Sequence, residues 1–212
     1  MHLARAEKLQ PIHVQSMRAA LFTGGDLEIH PVELFSDEEI NWAEAAALTE
    51  LIPPVPSPGW LWHNPKTVVT APTWGGSLEA VHWTLAADRW VRPVEDYAGC
   101  VLLLETSEEM PSAEQVFRML RDAGERGLLE QFPAVLVAAA KATWLEDPRP
   151  PERRQQYRDE QRAAILRALD DYHPAAMVVF GVDFGHTDPQ WILPYGGRIT
   201  VDGPARRITA HF

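Results

Sequence analysis

Three short apolar runs constrain this chain more than anything else in it: residues 100–105 (CVLLLE), 134–140 (AVLVAAA) and 175–182 (AAMVVFGV). Each is too short for a buried helix, which favours strands covered on both faces. Between the first two, Val116, Met119, Leu120 and Ala123 repeat at helical spacing behind a Ser112-x-x-Gln115 capping box, and Gly124 and Gly127 close the stretch. Between the second and third, residues 152–172 form a long charged helix with a narrow stripe of Ala163, Ile165, Leu166 and Leu169. Strand, helix, strand, helix, strand is a parallel βαβαβ unit with right-handed crossovers.

The flanks add to this core. Residues 67–72 (TVVTAP) read as extended, Gly75-Gly76 as a turn, and residues 77–87 as a short helix with Ser77 as its N-cap. At the C-terminus, RITVDGPARRITAHF reads as a hairpin turning at Asp202-Gly203-Pro204. The first fifty residues read as helical and acidic with no strand, Ser36-Asp37-Glu38-Glu39 forming a capping box before Ile40, Trp42 and the alanine run. A rigid connector follows, PPVPSPGWLWHNP, in which Trp60 and Trp62 share side-chain parity on an extended segment. The expected architecture is an α/β domain over residues 67–212, with added antiparallel strands and a C-terminal hairpin. Residues 1–66 form a helical N-terminal appendage and a Pro/Trp-rich connector.

Charge narrows the partners. With 19 basic against 30 acidic residues, the net charge of −11 repels phosphate backbones and anionic lipid, so neither nucleic acid nor membrane is expected. The start of the chain has no apolar signal-peptide core, and no stretch reaches membrane-spanning length, so a cytoplasmic location is the default expectation. The single cysteine, Cys100, excludes an internal disulfide and reads as a small core residue.

The chemistry concentrates at strand ends. His186 stands in a glycine-flanked loop, GHTDP, directly after the third apolar run, and Glu105 ends the first. In open α/β sheets the carboxyl ends of strands are where chemistry collects, and a histidine oriented by a carboxylate is the base-and-orienter part of a nucleophilic triad. The other seven histidines, at 2, 13, 30, 63, 82, 173 and 211, sit singly and read as structural. A zinc site built from Asp183, His186 and Asp188 lacks a second histidine at ligand spacing, so no metal is expected. Gly75-Gly76 and Gly196-Gly197 lack the context of a phosphate loop, and no cofactor is expected.

Taken together, LLLETSEEMPS (102–112), GVDFGHTDPQWILPYGG (181–197) and GGSLEAVHWTLAADRW (75–90) resemble the C-terminal half of the LD-carboxypeptidase family of serine peptidases, closest to its microcin C self-immunity branch. The segments ALFTGGDLEI (20–29) and SPGWLWHN (57–64) have counterparts there too. The resemblance implies a swivelling β/β/α-type domain and a Ser-His-Glu triad, with His186 as general base and Glu105 as its orienter. The family's nucleophile elbow, a serine followed by aspartate in a GYSD-like turn, has no match in these residues. The expected substrate contacts are Gly76, Ser77 in the family's asparagine place, Asp183 and Thr187, together with Trp60 and Trp62, whose rings can stack on a nucleobase.

The implied activity is cleavage of murein L,D-peptides or of microcin C-type aminoacyl-nucleotides. The serine would come from an N-terminal domain that these residues lack, so the isolated chain is expected to be nearly inactive. A homodimer stays open. Two departures, Ala139-Ala140-Lys141 in place of the family's Gly-Arg and the longer loop that follows, bear on specificity. Met1 as a plausible start, together with the Ser77 and Ala139-Ala140-Lys141 departures, motivates an alternative: a naturally shortened, non-catalytic ligand-binding or regulatory protein.

Overall fold

The computed structural model describes residues 10–41, 43–49 and 53–212. In chain order the helices are α1 (Pro11–Arg18), α2 (Ala46–Thr49), α3 (Leu78–Ala87), α4 (Ala113–Glu125) and α5 (Pro151–Tyr172). The strands are β1 (Asp26–Ile29), β2 (Leu34–Phe35), β3 (Val55–Pro56), β4 (Leu61–His63), β5 (Val68–Ser77), β6 (Val101–Glu105), β7 (Ala134–Ala138), β8 (Met177–Val182), β9 (Arg198–Asp202) and β10 (Arg207–His211). Eight strands form one sheet in the order β1-β10-β9-β5-β6-β7-β8-β4. The neighbours from β5 to β8 are parallel, and the remaining pairs are antiparallel.

The apolar runs are continuous because the parallel strands are covered on both faces. One face sets Leu102, Leu104, Val135, Val137, Val178 and Phe180 against α3, α4 and α5. The other sets Val101, Leu103, Leu136 and Val179 into a core with Ile199, Val201 and Ile208 of the C-terminal hairpin. Leu136 and Val179 are fully buried, and each such side chain contributes roughly 1.5–3 kcal/mol by leaving water. The capping box of α4 is present in both halves, the Ser112 side chain accepting from Gln115 N and the Gln115 side chain accepting from Ser112 N. Of the stripe expected on α5, Ile165 and Leu169 are buried, Leu166 only partly so and Ala163 exposed; Ala164 and Ala168 complete the buried face instead.

Three local expectations are corrected. Gly75 and Gly76 are not a turn: they continue β5 in parallel register with Leu103 and Leu104, both at φ +122°. A Cβ at Gly75 would stand only 2.0 Å from the Leu103 carbonyl oxygen, so close approach of strands requires the glycine. The first fifty residues do carry strands, and β1 pairs with β10 along its whole length. Its four residues alternate exposed and buried, a pattern too brief to stand out in the sequence.

Ser36 caps no helix, since its backbone makes a two-way bridge with Asp188 (2.7 and 2.9 Å) and its hydroxyl accepts from Glu38 N at 3.1 Å. Asp37 is drawn instead into ion pairs with Arg154 and Arg158, tertiary contacts that override the local signal. Trp42 and His2, named above, lie outside the described residues. Among the described residues no helix is long and apolar enough to cross a membrane.

Candidate active site

Glu105 is the last residue of β6, and the loop bearing His186 begins where β8 ends at Val182. His186 Nδ1 lies 2.6 Å from Glu105 Oε2. An ionised carboxylate only accepts hydrogen bonds, so Nδ1 carries a proton and Nε2 is the nitrogen that can turn to a substrate or nucleophile. Gly185, at φ +89°, permits the approach, because a Cβ there would lie 2.9 Å from Glu105 Oε2. The hydrogen bond to Glu105 raises the His186 pKa above its ordinary value; burial opposes it, the charges of Glu105 and Glu108 add to it, and Lys141 opposes it. Such a pair can hold an imidazole in one tautomer and stabilise the imidazolium formed when Nε2 takes a proton.

Nε2 faces a second carboxylate, Glu108 Oε2, at 3.0 Å. Glu108 belongs to the β6–α4 loop, which is fixed from below by Glu79. The buried Glu79 carboxylate accepts from Ser107 N at 3.0 Å, Ser107 Oγ at 2.9 Å and Ser77 Oγ at 3.0 Å. Ser77 is opposite Glu105 in the β5–β6 register and N-caps α3, accepting from Ala80 N at 3.4 Å. Nothing in the local sequence pattern singles out Glu79; its role comes from two strand ends lying side by side.

The histidine loop is stitched to the first third of the chain. Asp183, only 3% exposed, accepts from Trp60 Nε1 at 2.8 Å and from Val32 N at 3.2 Å, and burial pushes its carboxyl up to about 6. Trp191 Nε1 donates to the His30 carbonyl at 2.9 Å, and Gln190 N donates to His13 Nε2 at 2.9 Å. Burial lowers the His13 pKa, in keeping with its role as neutral acceptor. Trp60 and Trp62 both pack against the apolar core on the hairpin side of the sheet. Thr187 is buried, and Gly76 has open space where a side chain would stand.

A cavity of about 120 Å³ opens at the carboxyl ends of β6, β7 and β8, with Glu105, Ala138 and Asp183 in its lining and Phe35, Pro58 and Leu61 closing it from the N-terminal side. The structure thus brings Glu105, His186 and Ser77 to neighbouring strand ends, with Asp183 and Trp60 behind them. Lys141, from the Ala-Ala-Lys departure, is 1% exposed and donates to Glu39 at 2.7 Å and to the Asp37 carbonyl at 3.1 Å. Arg154 bonds Asp37 at 3.1 Å and Glu38 at 2.6 Å, completing a charged cluster around residues 37–39.

The fold and this pair define a class: an α/β domain whose parallel strands deliver a carboxylate and the histidine it orients to one end of the sheet. The family model described as the LD-carboxypeptidase C-terminal domain matches residues 70–201, and the chain belongs to that family. No curated protein sequence matches the chain.

Among solved structures, a MccF-like protein from Streptococcus pneumoniae in complex with AMP superposes with a TM-score of 0.76 at 19% identity, covering 98% of this chain and 59% of that one. MccF in complex with glutamyl sulfamoyl guanosine gives 0.73 at 18% identity, over 97% of this chain and 57% of that one. A MccF-like protein from Bacillus anthracis str. Ames gives 0.68 at 15% identity, over 93% and 55%. At these identities the likeness is one of fold. The chain spans less than two thirds of the length of each of these relatives.

Proposed function

We propose that this chain supplies the base-and-orienter half of a Ser-His-Glu peptidase site that hydrolyses an amide next to a carboxylate, the serine coming from a segment outside these 212 residues. The observation that carries the reading is the 2.6 Å contact of His186 Nδ1 with Glu105, at the carboxyl end of the sheet in a chain of this family. His186 Nε2 takes the proton of the incoming hydroxyl as it attacks the carbonyl carbon, then gives it to the leaving amine. Glu105 keeps Nδ1 protonated and stabilises the charged ring. Gly76 and Ser77 lie on the substrate side at the strand end beside Glu105, while the buried Asp183 and Thr187 support the histidine loop from behind.

Two substrate classes fit the chemistry, a murein L,D-peptide and an aminoacyl-nucleotide of the microcin C type. Solved relatives in complex with AMP and with aspartyl sulfamoyl adenosine support the second. A competing reading is a ligand-binding or regulatory protein without catalysis. It is favoured by the carboxylate of Glu108 at Nε2, where a hydroxyl would be needed. The DNA upstream of Met1 separates the two. An in-frame serine elbow of the GYSD type supports the peptidase, and a reading frame without one sinks it in favour of the binding protein.

A further inference from the structure

Each ring nitrogen of His186 faces a carboxylate oxygen, Nδ1 at 2.6 Å from Glu105 and Nε2 at 3.0 Å from Glu108. Carboxylates accept and do not donate, and a neutral imidazole has a single N–H. With both carboxylates ionised, a neutral ring in this position would set a nitrogen lone pair against an oxygen lone pair, and only the imidazolium satisfies both contacts. An imidazolium has no lone pair with which to accept a proton, so in this arrangement the base is switched off.

Glu108 differs from Glu105 in how it is held. Glu105 is fixed at the end of a central strand with its side chain 14% exposed, whereas Glu108 lies on a loop with its side chain 42% exposed. The loop backbone is anchored next door, where Ser107 donates twice to Glu79, so its carboxylate can withdraw without unseating Glu105. The other charge that acts on the ring, Lys141, is bonded to Glu39 and the Asp37 carbonyl and stays in place when Glu108 leaves.

We propose that Glu108 is a displaceable placeholder: it occupies the nucleophile's position at His186 Nε2 and keeps the ring in its charged, inactive form until a hydroxyl takes that position. This rests on the peptidase reading above. As Glu108 leaves, the Nε2 proton passes to solvent and the freed lone pair accepts the hydrogen bond of the incoming hydroxyl. Glu105 keeps its contact throughout. A base without its nucleophile is thereby held in a state that cannot activate stray water.

The test uses this chain alone. The protonation of His186 is followed by ¹⁵N NMR across pH, together with the rate at which diethyl pyrocarbonate acylates Nε2 at pH 7, in the wild type, Glu108→Gln and Glu109→Gln. Glu109 is an exposed neighbour on the same loop and serves as the control. Glu108→Gln is expected to move the titration to lower pH and to speed acylation several-fold, with Glu109→Gln unchanged. No shift in Glu108→Gln, or an equal shift in Glu109→Gln, overturns the placeholder.

The outcome is separable from that of the peptidase reading. An upstream frame without a serine elbow removes the nucleophile for which the place is kept, even where Glu108→Gln shifts His186 as expected. Conversely, a serine elbow upstream with an unshifted His186 retains the peptidase and removes the placeholder.

Discussion

Gly185 stands so close to Glu105 that a Cβ at its position would lie 2.9 Å from Oε2 and 3.1 Å from the Ala138 Cβ. The loop reaches its carboxylate because position 185 has no side chain, and its φ of +89° suits glycine alone. Gly185→Ala is expected to lift His186 off Glu105 and to cost roughly 1–3 kcal/mol of stability. Urea unfolding and the His186 titration check it together. A variant that unfolds like the wild type and keeps a raised His186 pKa would contradict the close approach.

Glu105→Gln removes the strongest cause of the raised His186 pKa. The variant's histidine is expected to titrate at lower pH than the wild type's. A group whose pKa is raised on folding adds stability below its unfolded value, and that stability is lost as pH rises through the folded value. The wild type should therefore lose more stability than Glu105→Gln between slightly acidic and alkaline pH. Parallel stability curves for the two proteins would count against the contact.

Asp183 behaves in the opposite sense to a salt-bridged aspartate. Its carboxyl is pushed from 3.8 to about 6 by burial, so the folded protein holds its proton more tightly than the unfolded chain. The penalty for ionising it is absent below pH 4, grows between pH 4 and 6, and is complete above 6 at about 3 kcal/mol. In Asp183→Asn the amide oxygen can still accept from Trp60 and Val32. The variant is expected to gain stability over the wild type at pH 8 but not at pH 4, read from urea midpoints. A loss at pH 8 would show that the charge itself stabilises the loop.

Lys141 lies between Glu39 and the Asp37 carbonyl with 1% exposure. Removing one member of a buried ion pair commonly costs about 3–5 kcal/mol, because the desolvated charge opposite keeps its cost. Lys141→Met is expected to lower stability by that order in chemical denaturation. It should also loosen residues 36–39 in hydrogen exchange, since that cluster ties them to α5. A near-neutral effect on both would mean that the cluster is held by Arg154 and Arg158 alone.

The parallel core was legible because its strands are buried on both faces and α4 carries a full apolar stripe behind its capping box. Glu105 and His186 could be read as partners for the same reason: one ends an unmistakable apolar run and the other stands in the loop just after another. What escaped the sequence depends on distant contacts. The strand Asp26–Ile29 exists because β10 offers an edge to pair with. The Ser36 capping signal yields to a backbone bridge with Asp188. Of the glycine pair that looks like a turn, Gly75 is needed because Leu103 passes behind it. Glu79 stands alone in an apolar helix and Glu108 in the acidic loop after Glu105, and only the meeting of β5, β6 and the histidine loop gives them work.

The central claim is that His186 and Glu105 act on a hydroxyl supplied from outside these residues. Turnover of a murein L,D-tetrapeptide and of an aminoacyl-nucleotide by the purified 212-residue chain tests it most directly, with His186→Ala measured alongside. The account predicts no turnover of either substrate above the His186→Ala background. Hydrolysis by the chain alone, abolished in His186→Ala, would contradict it and require a nucleophile within these residues.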